Sequence, residues 1–259
     1  MNKKLILSEF RASLAQFIVF TTLISLCLIL SFIIYPYIDS NTIEKISSLS
    51  KTTKKILYLN ENITIGNEYY SLTMEYLLII GSIMASHLAT KQILWDRASE
   101  YDKYLFTLPI SREKIYLNKF ICVIIEILSF NSIFYILSII LTNLSTYHVS
   151  MKYIIEINSA MILAQLTFAS LGFLVGSLIR NPKFIFIKSD IVIIFFLLLA
   201  IPERIYDITI LRYINPFSYL SVRDILVENG YKISFIIASG FIMIFSITIS
   251  KSIYSEYEL

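Results

Sequence analysis

The sequence predicts an all-α membrane protein with six transmembrane helices. Hydrophobic residues make up 56% of its 259 residues and charged residues only 16%. Six long apolar stretches follow one another, at about 14–38, 72–94, 115–141, 154–179, 184–202 and 233–250. Each is close to or longer than the ~20 residues that a helix needs to cross the hydrocarbon core of a bilayer. A segment that spans lipid must satisfy its own backbone hydrogen bonds, so each stretch is predicted to be a helix.

Composition and motifs argue against several classes of protein. The net charge of +3 is small and no basic tract is present, so no nucleic acid partner is expected. Cys27 and Cys122 lie inside apolar stretches and form no C-x-x-C pair, which predicts neither a disulfide nor a zinc site. None of the six glycines precedes a Lys-Ser/Thr pair, so the chain has no phosphate-binding loop for ATP. No H-E-x-x-H motif and no paired intramembrane carboxylates occur, and we predict no metal, no catalytic residues and no enzyme activity.

The sequence predicts a single transmembrane domain that comprises residues 1–259. Its first residues, about 1–13, place Leu7, Phe10 and Leu14 on one helical face, which favours a short helix lying in the cytoplasmic interface. The stretch at about 202–232 is half apolar and contains prolines. We interpret it as an outer re-entrant or interfacial segment.

Lysine and arginine set the predicted orientation, because these residues concentrate in cytoplasmic loops. Six spans place both termini on one side of the membrane. With the termini inside, thirteen of the 22 basic residues lie on the inner side and nine on the outer side. The lysine-rich loop after the first span opposes this bias but does not reverse it. We therefore predict a multi-pass protein of a bacterial plasma membrane with cytoplasmic N- and C-termini.

The inner loop at about 95–114 carries the most informative pattern. Trp95 ends the second span, where an aromatic belt residue is expected. The loop then repeats apolar residues at the i, i+3, i+4 and i+7 spacing of one helical face, at Tyr101, Tyr104, Leu105 and Leu108. Pro109 ends this helix, and Ser111 is placed to cap the next one, with Glu113 in its first turn. A short amphipathic helix between two spans can transmit a push from a soluble partner, although a charged inner loop is common in any multi-span protein.

Several polar residues and glycines lie within the predicted spans. A charged side chain inside the bilayer costs free energy, so we expect Glu126 to have a hydrogen-bonding partner or a function. We predict that Glu126 faces His87, with Asn131 or Gln165 nearby. This group is either a substrate or proton path or, as we favour, a set of packing hydrogen bonds between helices. Gly172 and Gly176 form a G-x-x-x-G spacing, which favours close packing within the chain over a dimer seam.

These motifs, taken in order, resemble a known family. Glu100, the Leu-x-x-Leu-Pro core, Ser111-Arg112 and Lys119 are similar to the inner signature of type-2 permeases of ATP-binding-cassette (ABC) exporters. The core consists of Leu105, Leu108 and Pro109. The glycine-containing fourth span and the outer elements Asn215-Pro216-Phe217 and Arg223 follow in the order of that family. The resemblance covers most of the chain.

The resemblance implies the fold of an ABC type-2 exporter transmembrane domain and a division of labour between subunits. A permease of this kind pairs with a second copy of itself or with a similar permease. Two ATPase subunits, which bind ATP and Mg, dock on its cytoplasmic side. The helix near 100–108 corresponds to the coupling helix that docks on the ATPase, with polar contacts from Glu100, Asp102, Lys103 and Arg112 and packing contacts from Tyr101, Leu105 and Leu108.

The resemblance and the apolar spans together predict an exporter of an amphiphilic or apolar cargo such as a peptide, a lipid or a drug-like compound. The chain needs no cofactor of its own. Its expected partners are an ABC ATPase, another permease and membrane lipid. Two alternatives stay open at this level. One is an ion-coupled secondary carrier that uses Glu126 and His87 as a proton relay. The other is a membrane assembly or immunity protein without transport.

Overall fold

The computed structural model describes residues 3–38, 44–46, 48–57, 59, 66–98, 110–145, 149–179, 185–219, 221–222 and 231–256. Within these ranges the regular structure is helical and no strand occurs. The helices are α1 (Lys3–Ile34), α2 (Lys51–Ile56), α3 (Gly66–Ala98), α4 (Arg112–Leu144), α5 (Met151–Leu178), α6 (Ile185–Tyr206), α7 (Thr209–Ile214), α8 (Pro216–Tyr219) and α9 (Ile233–Glu256). The all-α prediction is confirmed.

Five of the described helices are long and apolar enough to cross a membrane: α1, α3, α4, α5 and α9. Helix α6 occupies the position of the predicted fifth span and has 22 residues. It also carries charges near both ends, with Lys188 and Asp190 at the start and Glu203 and Arg204 at the end. Helix α6 is not among the five candidate spans, and a sixth span stays a prediction.

Helix α1 corrects the prediction for the N-terminal segment. It runs from Lys3 to Ile34 without interruption, and a short 3₁₀ turn at Tyr35–Tyr37 follows it. Glu9 and Ser13 are buried in the bundle, with relative exposures of 5% and 1%. Residues 3–13 therefore form the first turns of the first long helix and not a separate helix at the membrane surface. The apolar face seen in the sequence continues into the face that α1 buries.

The centre of the bundle is the contact between α3 and α5. The two helices approach closely because α5 has glycines, which lack a side chain, where it meets α3. A Cβ atom on Gly172 would lie 2.6 Å from the backbone oxygen of Ser86, and one on Gly176 would lie 3.0 Å from Cβ of Ile93. Thr90 also donates a hydrogen bond to the Gly172 carbonyl, over 3.0 Å. The G-x-x-x-G spacing thus faces α3 of the same chain, which is the intrachain contact that the sequence favoured.

Helix α9 packs on another face of α5 through small polar residues. Ser239, Ser246 and Ser250 are buried along one face of α9, and the hydroxyls of Ser250 and Ser177 lie 2.8 Å apart. Small side chains permit close approach of helices, and a hydroxyl pair satisfies polar groups that lipid cannot. The remainder of α9 presents exposed apolar residues such as Phe241 and Ile244.

Contacts at one end of the bundle bring three helix termini together. Glu9 and Ser13 of α1 bond residues in the first half of α4, so these two helices run parallel from the same side. Lys251 near the end of α9 lies 3.2 Å from Glu113, and Arg112 donates to the Ser255 carbonyl over 3.3 Å. The start of α1 and the end of α9 therefore lie on the side of the bundle where the chain passes from α3 to α4.

The opposite end carries the short helices. Phe217 of α8 packs against Phe168 of α5 with ring centroids 4.5 Å apart, and both side chains belong to the hydrophobic core. Lys55 of α2 pairs with Asp207 just after α6, over 2.9 Å. The predicted outer segment at about 202–232 thus starts inside α6 and continues as α7 and α8, while residues 220 and 223–230 lie outside the described residues.

Candidate functional site

The predicted coupling segment is bracketed by the ends of two long helices. Helix α3 ends at Ala98 and α4 begins at Arg112, and each contains 33 residues. Six residues of the predicted contact set lie outside the described residues: Glu100, Tyr101, Asp102, Lys103, Leu105 and Leu108. Pro109 also lies outside them. Ser111 occupies the N-cap position of α4 with Glu113 in the first turn, but its side chain makes no capping hydrogen bond.

Arg112 is the one member of the contact set that the described structure includes. Its guanidinium donates to the Ser255 carbonyl at the end of α9, and so joins the first turn of α4 to the last helix. Trp95, at the other end of the segment, is 46% exposed, and the ammonium of Lys91 lies 5.2 Å from its ring centroid. An exposed indole beside a cation suits the interface between lipid and water.

Next to this segment lies a buried polar cluster, which we define as Glu9, Ser13, Gln92, Lys119 and Glu126. The Lys119 ammonium lies 2.9 Å from Glu9 Oε1, and the two side chains are 0% and 6% exposed. Gln92 donates to the Glu9 carbonyl over 3.3 Å, and Ser13 donates to Glu126. The cluster therefore ties α1, α3 and α4 together within a few turns of the coupling segment.

An ion pair inside a membrane bundle has a definite physical consequence. Desolvating two charges is costly, and only good geometry with additional hydrogen bonds compensates for it. Glu9 and Lys119 are held by helices α1 and α4, which cannot separate without exposing unpaired charge to an apolar environment. We infer that the cluster makes the first turns of α1 and the first half of α4 move as one body.

The predicted contact between Glu126 and His87 is corrected by the structure. Glu126 accepts the Ser13 hydroxyl on the α1 side of α4. His87 Nε2 instead lies 2.6 Å from Asp190 Oδ1 of α6, and the His87 ring packs edge-on against Phe20. The sequence placed both residues at similar depth, but depth does not determine which face of a helix a residue occupies.

Asn131 and Gln165 do meet, without Glu126 or His87 as a hydrogen-bond partner. Asn131 Nδ2 donates to Gln165 Oε1 over 2.6 Å, joining α4 to α5 in the middle of the bundle. Both side chains are buried, and Gly81 of α3 leaves the space that the Gln165 amide occupies. A hydrogen bond of this kind across helices stabilises packing in lipid by about 0.6 kcal/mol on average.

Glu126 provides a test of its own role. We expect Glu126→Gln to preserve assembly, because the amide oxygen still accepts the Ser13 hydroxyl, whereas Glu126→Leu should lower stability by about 1 kcal/mol through loss of this bond. Thermal melting in detergent, followed by size-exclusion chromatography, measures both. If the glutamine variant fails to assemble, the charge itself is required. If it assembles but no longer supports transport, the carboxyl belongs to a path and not to packing.

The outer elements predicted from the sequence are held by two buried carboxylates. Asn215 donates to the Phe196 carbonyl over 3.0 Å and accepts the Phe217 amide, so the Asn-Pro turn is fixed on α6. Glu75 Oε2 accepts the backbone amide of Val222 over 2.7 Å, and Glu75 Oε1 lies 3.6 Å from Arg204. Glu203 accepts the Ser218 hydroxyl over 2.7 Å. We call Glu75, Glu203, Arg204, Ser218 and Val222 the outer clasp; Arg223 lies outside the described residues.

The outer clasp is expected to loosen in Glu75→Gln. The substitution removes the charge-assisted acceptor of Val222 and the counter-charge of Arg204, and such bonds contribute more than neutral ones. Hydrogen–deuterium exchange of a peptide covering 215–222 should accelerate about ten-fold. Asp207→Asn, which removes the exposed pair with Lys55, serves as the control and should leave this exchange unchanged. Equal exchange in Glu75→Gln and the unaltered protein would contradict this account of the clasp.

Tyr231 anchors the chain where it returns to α9. Its hydroxyl donates to the Glu156 carbonyl in α5 and lies 3.0 Å from the Ser159 hydroxyl. Burial raises the pKa of Tyr231 to about 12, an effect that the Ser159 hydrogen bond partly opposes. The phenol is therefore neutral at physiological pH and available as a donor.

Sequence reasoning did not identify Glu9, Gln92, Asp190 or Glu75 as members of polar clusters. Glu75 could have been identified, because it is a lone carboxylate inside an apolar stretch, as Glu126 is. Glu9 was assigned to a surface helix, where a charge needs no partner. Within the described part of the chain, no group of three His, Cys, Asp or Glu side chains is arranged to hold a metal ion.

One known protein family matches most of this sequence. The sequence model of the ABC-2 family transporter proteins matches residues 4–218, which are 215 of the 259 residues. No curated protein and no solved structure matches the chain significantly. The match includes the predicted coupling segment and the helices on both sides of it. The chain belongs to the ABC-2 family of transporter proteins, whose members are membrane domains of transporters and not themselves catalytic.

Proposed function

We propose that this chain is the permease subunit of an ATP-driven exporter, and that a separate ATPase subunit drives it. The observation that supports this most is the bracketing of residues 99–111 by two continuous helices, α3 and α4. The buried polar cluster joins the adjoining ends of both helices to α1. A force applied to the short segment between them is therefore transmitted to three long helices at once.

ATP and Mg belong to the partner in this proposal. The chain has no G-x-x-x-x-G-K-[ST] loop of its own, so its part is mechanical. The coupling helix near 100–108 would dock on the ATPase through Leu105 and Leu108, with Glu100, Asp102, Lys103 and Arg112 as polar contacts. This places the coupling segment and both termini in the cytoplasm of a bacterial cell and the outer clasp on the far side.

A second permease, identical or similar, completes the proposed exporter. Cargo would leave between the two membrane subunits, and the outer clasp would shape its exit. The outward faces of α1, α6 and α9 are apolar, with exposed residues such as Val19, Phe195 and Phe241. These faces favour an amphiphilic or apolar cargo, such as a peptide, a lipid or a drug-like compound, over a sugar or an ion.

The ion-coupled carrier is less favoured. That alternative rested on a proton relay between Glu126 and His87, and these residues bond different helices. The pair of His87 and Asp190 joins α3 to α6 and lies apart from the buried polar cluster. A role as a membrane assembly protein without transport has no supporting contact in the described residues.

Co-purification tests the proposed function. The tagged chain should carry with it an ATPase that contains a phosphate-binding loop and is encoded beside its gene. Leu105→Asp or Leu108→Asp should abolish this association, since each introduces a charge into the packing face of the coupling helix. Leu57→Asp, an exposed leucine at the opposite end of the bundle, is the matched control. Retention of the ATPase by both coupling variants, or failure to find any ATPase, would contradict the proposal.

A further inference from the structure

A groove lies between the first turns of α1 and the first half of α4. It encloses about 270 Å³ and is lined by Ile6, Leu7, Phe10, Cys122 and Ile125. Leu7 and Ile125, at its rim, are 52% and 43% exposed. The lining is apolar apart from the Cys122 thiol. This groove plays no part in the coupling or exit elements described above.

The helices that form the groove determine what surrounds it. Both α1 and α4 are long and apolar enough to span a bilayer, and the groove opens on their outer surface. In a bilayer, the acyl chains of lipids would be its neighbours there. Behind the groove wall, the Gln92 amide donates to Cys122 Sγ over 3.6 Å, and the pair of Glu9 and Lys119 lies in the same layer. A chain that fills the groove therefore also keeps water from the buried polar cluster.

Positive charge marks the mouth of the groove. Lys114 and Ile125 are eleven residues apart on α4, so they share one face, with Lys114 about 16 Å closer to the helix start. Arg11 follows Leu7 by one turn on α1 and lies beside the groove, since Glu9 is opposite Lys119. Both cations are exposed, and neither pairs with a carboxylate among the described residues. The sequence adds Lys3 and Lys4 at the start of α1. The neighbouring Glu113 is directed to Lys251, over 3.2 Å.

We propose that this groove binds one anionic phospholipid, with an acyl chain along Phe10 and Ile125 and the phosphate near Lys114. The parallel register of α1 and α4 brings their positive N-terminal ends to the same side, which adds to the attraction for a phosphate. A zwitterionic lipid has the same acyl chain without the net negative charge. A comparison of the two lipid classes therefore separates the contribution of the apolar groove from that of the positive charge. The proposal concerns the permease alone and does not depend on the ATPase.

Native mass spectrometry of the purified chain tests it with two probes that share acyl chains, phosphatidylglycerol and phosphatidylcholine. We expect one phosphatidylglycerol to be retained in preference. Ile125→Trp, which fills the groove, should lower retention of both lipids about ten-fold. Ile136→Trp is the matched control, since Ile136 is exposed on the same face of α4 three turns away, and it should bind as the unaltered protein does. Lys114→Gln should lower only the phosphatidylglycerol retention, about five-fold.

Three results would overturn the proposal. Equal retention of the two lipids would remove the anionic headgroup from the site. Unchanged retention in Ile125→Trp would place the lipid outside the groove. Equal loss in Ile125→Trp and Ile136→Trp would indicate general lipid contact and not a site. Monodisperse elution of each variant shows that it is folded, and loss of lipid with an intact ATPase complex separates this proposal from the proposed function.

Discussion

Lys119→Met should destabilise the protein by about 3–5 kcal/mol, more than any other single change considered. The substitution keeps the length of the side chain but removes the ammonium that lies 2.9 Å from Glu9 Oε1. The Glu9 carboxylate then stays in a site where it is 6% exposed, without this counter-charge. Thermal melting in detergent should show an apparent Tm lower by about 10 °C.

Two further variants separate the ion pair from general damage to α4. In the double variant Glu9→Gln/Lys119→Met neither charge is left, and most of the stability should return, because a neutral pair carries no desolvation cost. Lys251→Met removes the exposed contact with Glu113 and should cost about 0–1 kcal/mol. If the double variant melts as low as Lys119→Met, the loss comes from packing and the buried pair does not have the role assigned to it.

Gly172→Ala should produce the second large effect, about 1–3 kcal/mol of lost stability from one added methyl group. The new Cβ would lie 2.6 Å from the Ser86 carbonyl oxygen, and backbone cannot move aside as a flexible side chain can. Helices α3 and α5 would have to separate along their most extensive contact. Melting temperature and resistance to limited proteolysis measure the change.

The same chain supplies a graded series of controls. Gly176→Ala places a Cβ 3.0 Å from Cβ of Ile93, a looser contact than the 2.6 Å at Gly172, so its effect should be smaller. Gly240→Ala on α9 meets nothing within 4 Å and should be neutral or slightly stabilising, since alanine favours helix more than glycine does. An order of stability in which Gly240→Ala is as harmful as Gly172→Ala would contradict the close packing of α3 and α5.

The sequence predicted the helices well because length and apolar composition are properties of each segment alone. The positions of α3, α4, α5 and α9 needed no knowledge of neighbouring helices. To predict the partner of Glu126, by contrast, the neighbouring helices must be known. A residue's depth follows from its number along the helix, but the face that it presents depends on how each helix is rotated in the bundle. Glu126 faces α1 and His87 faces α6 for that reason.

The N-terminal segment shows a second limit. Its amphipathic pattern suits a helix at the membrane surface and equally suits the end of a long helix that buries one polar face. Glu9 decides between the two, and only the position of Lys119, 110 residues away, reveals its role. The outer clasp is similar, since Glu75 and Val222 meet across 147 residues. Contacts between distant segments of this kind have no local signature.

Site-specific cross-linking at residue 105 tests the central claim most directly. A photo-reactive amino acid in place of Leu105 should, in intact cells, link the chain to an ATPase with a phosphate-binding loop. The same group in place of Ile210, exposed on α7 at the other end of the bundle, should not. A product with that ATPase from position 105 alone is the predicted result. A product from position 210 instead, or modification of residue 105 by a reagent confined to the outside of the cell, would contradict the account.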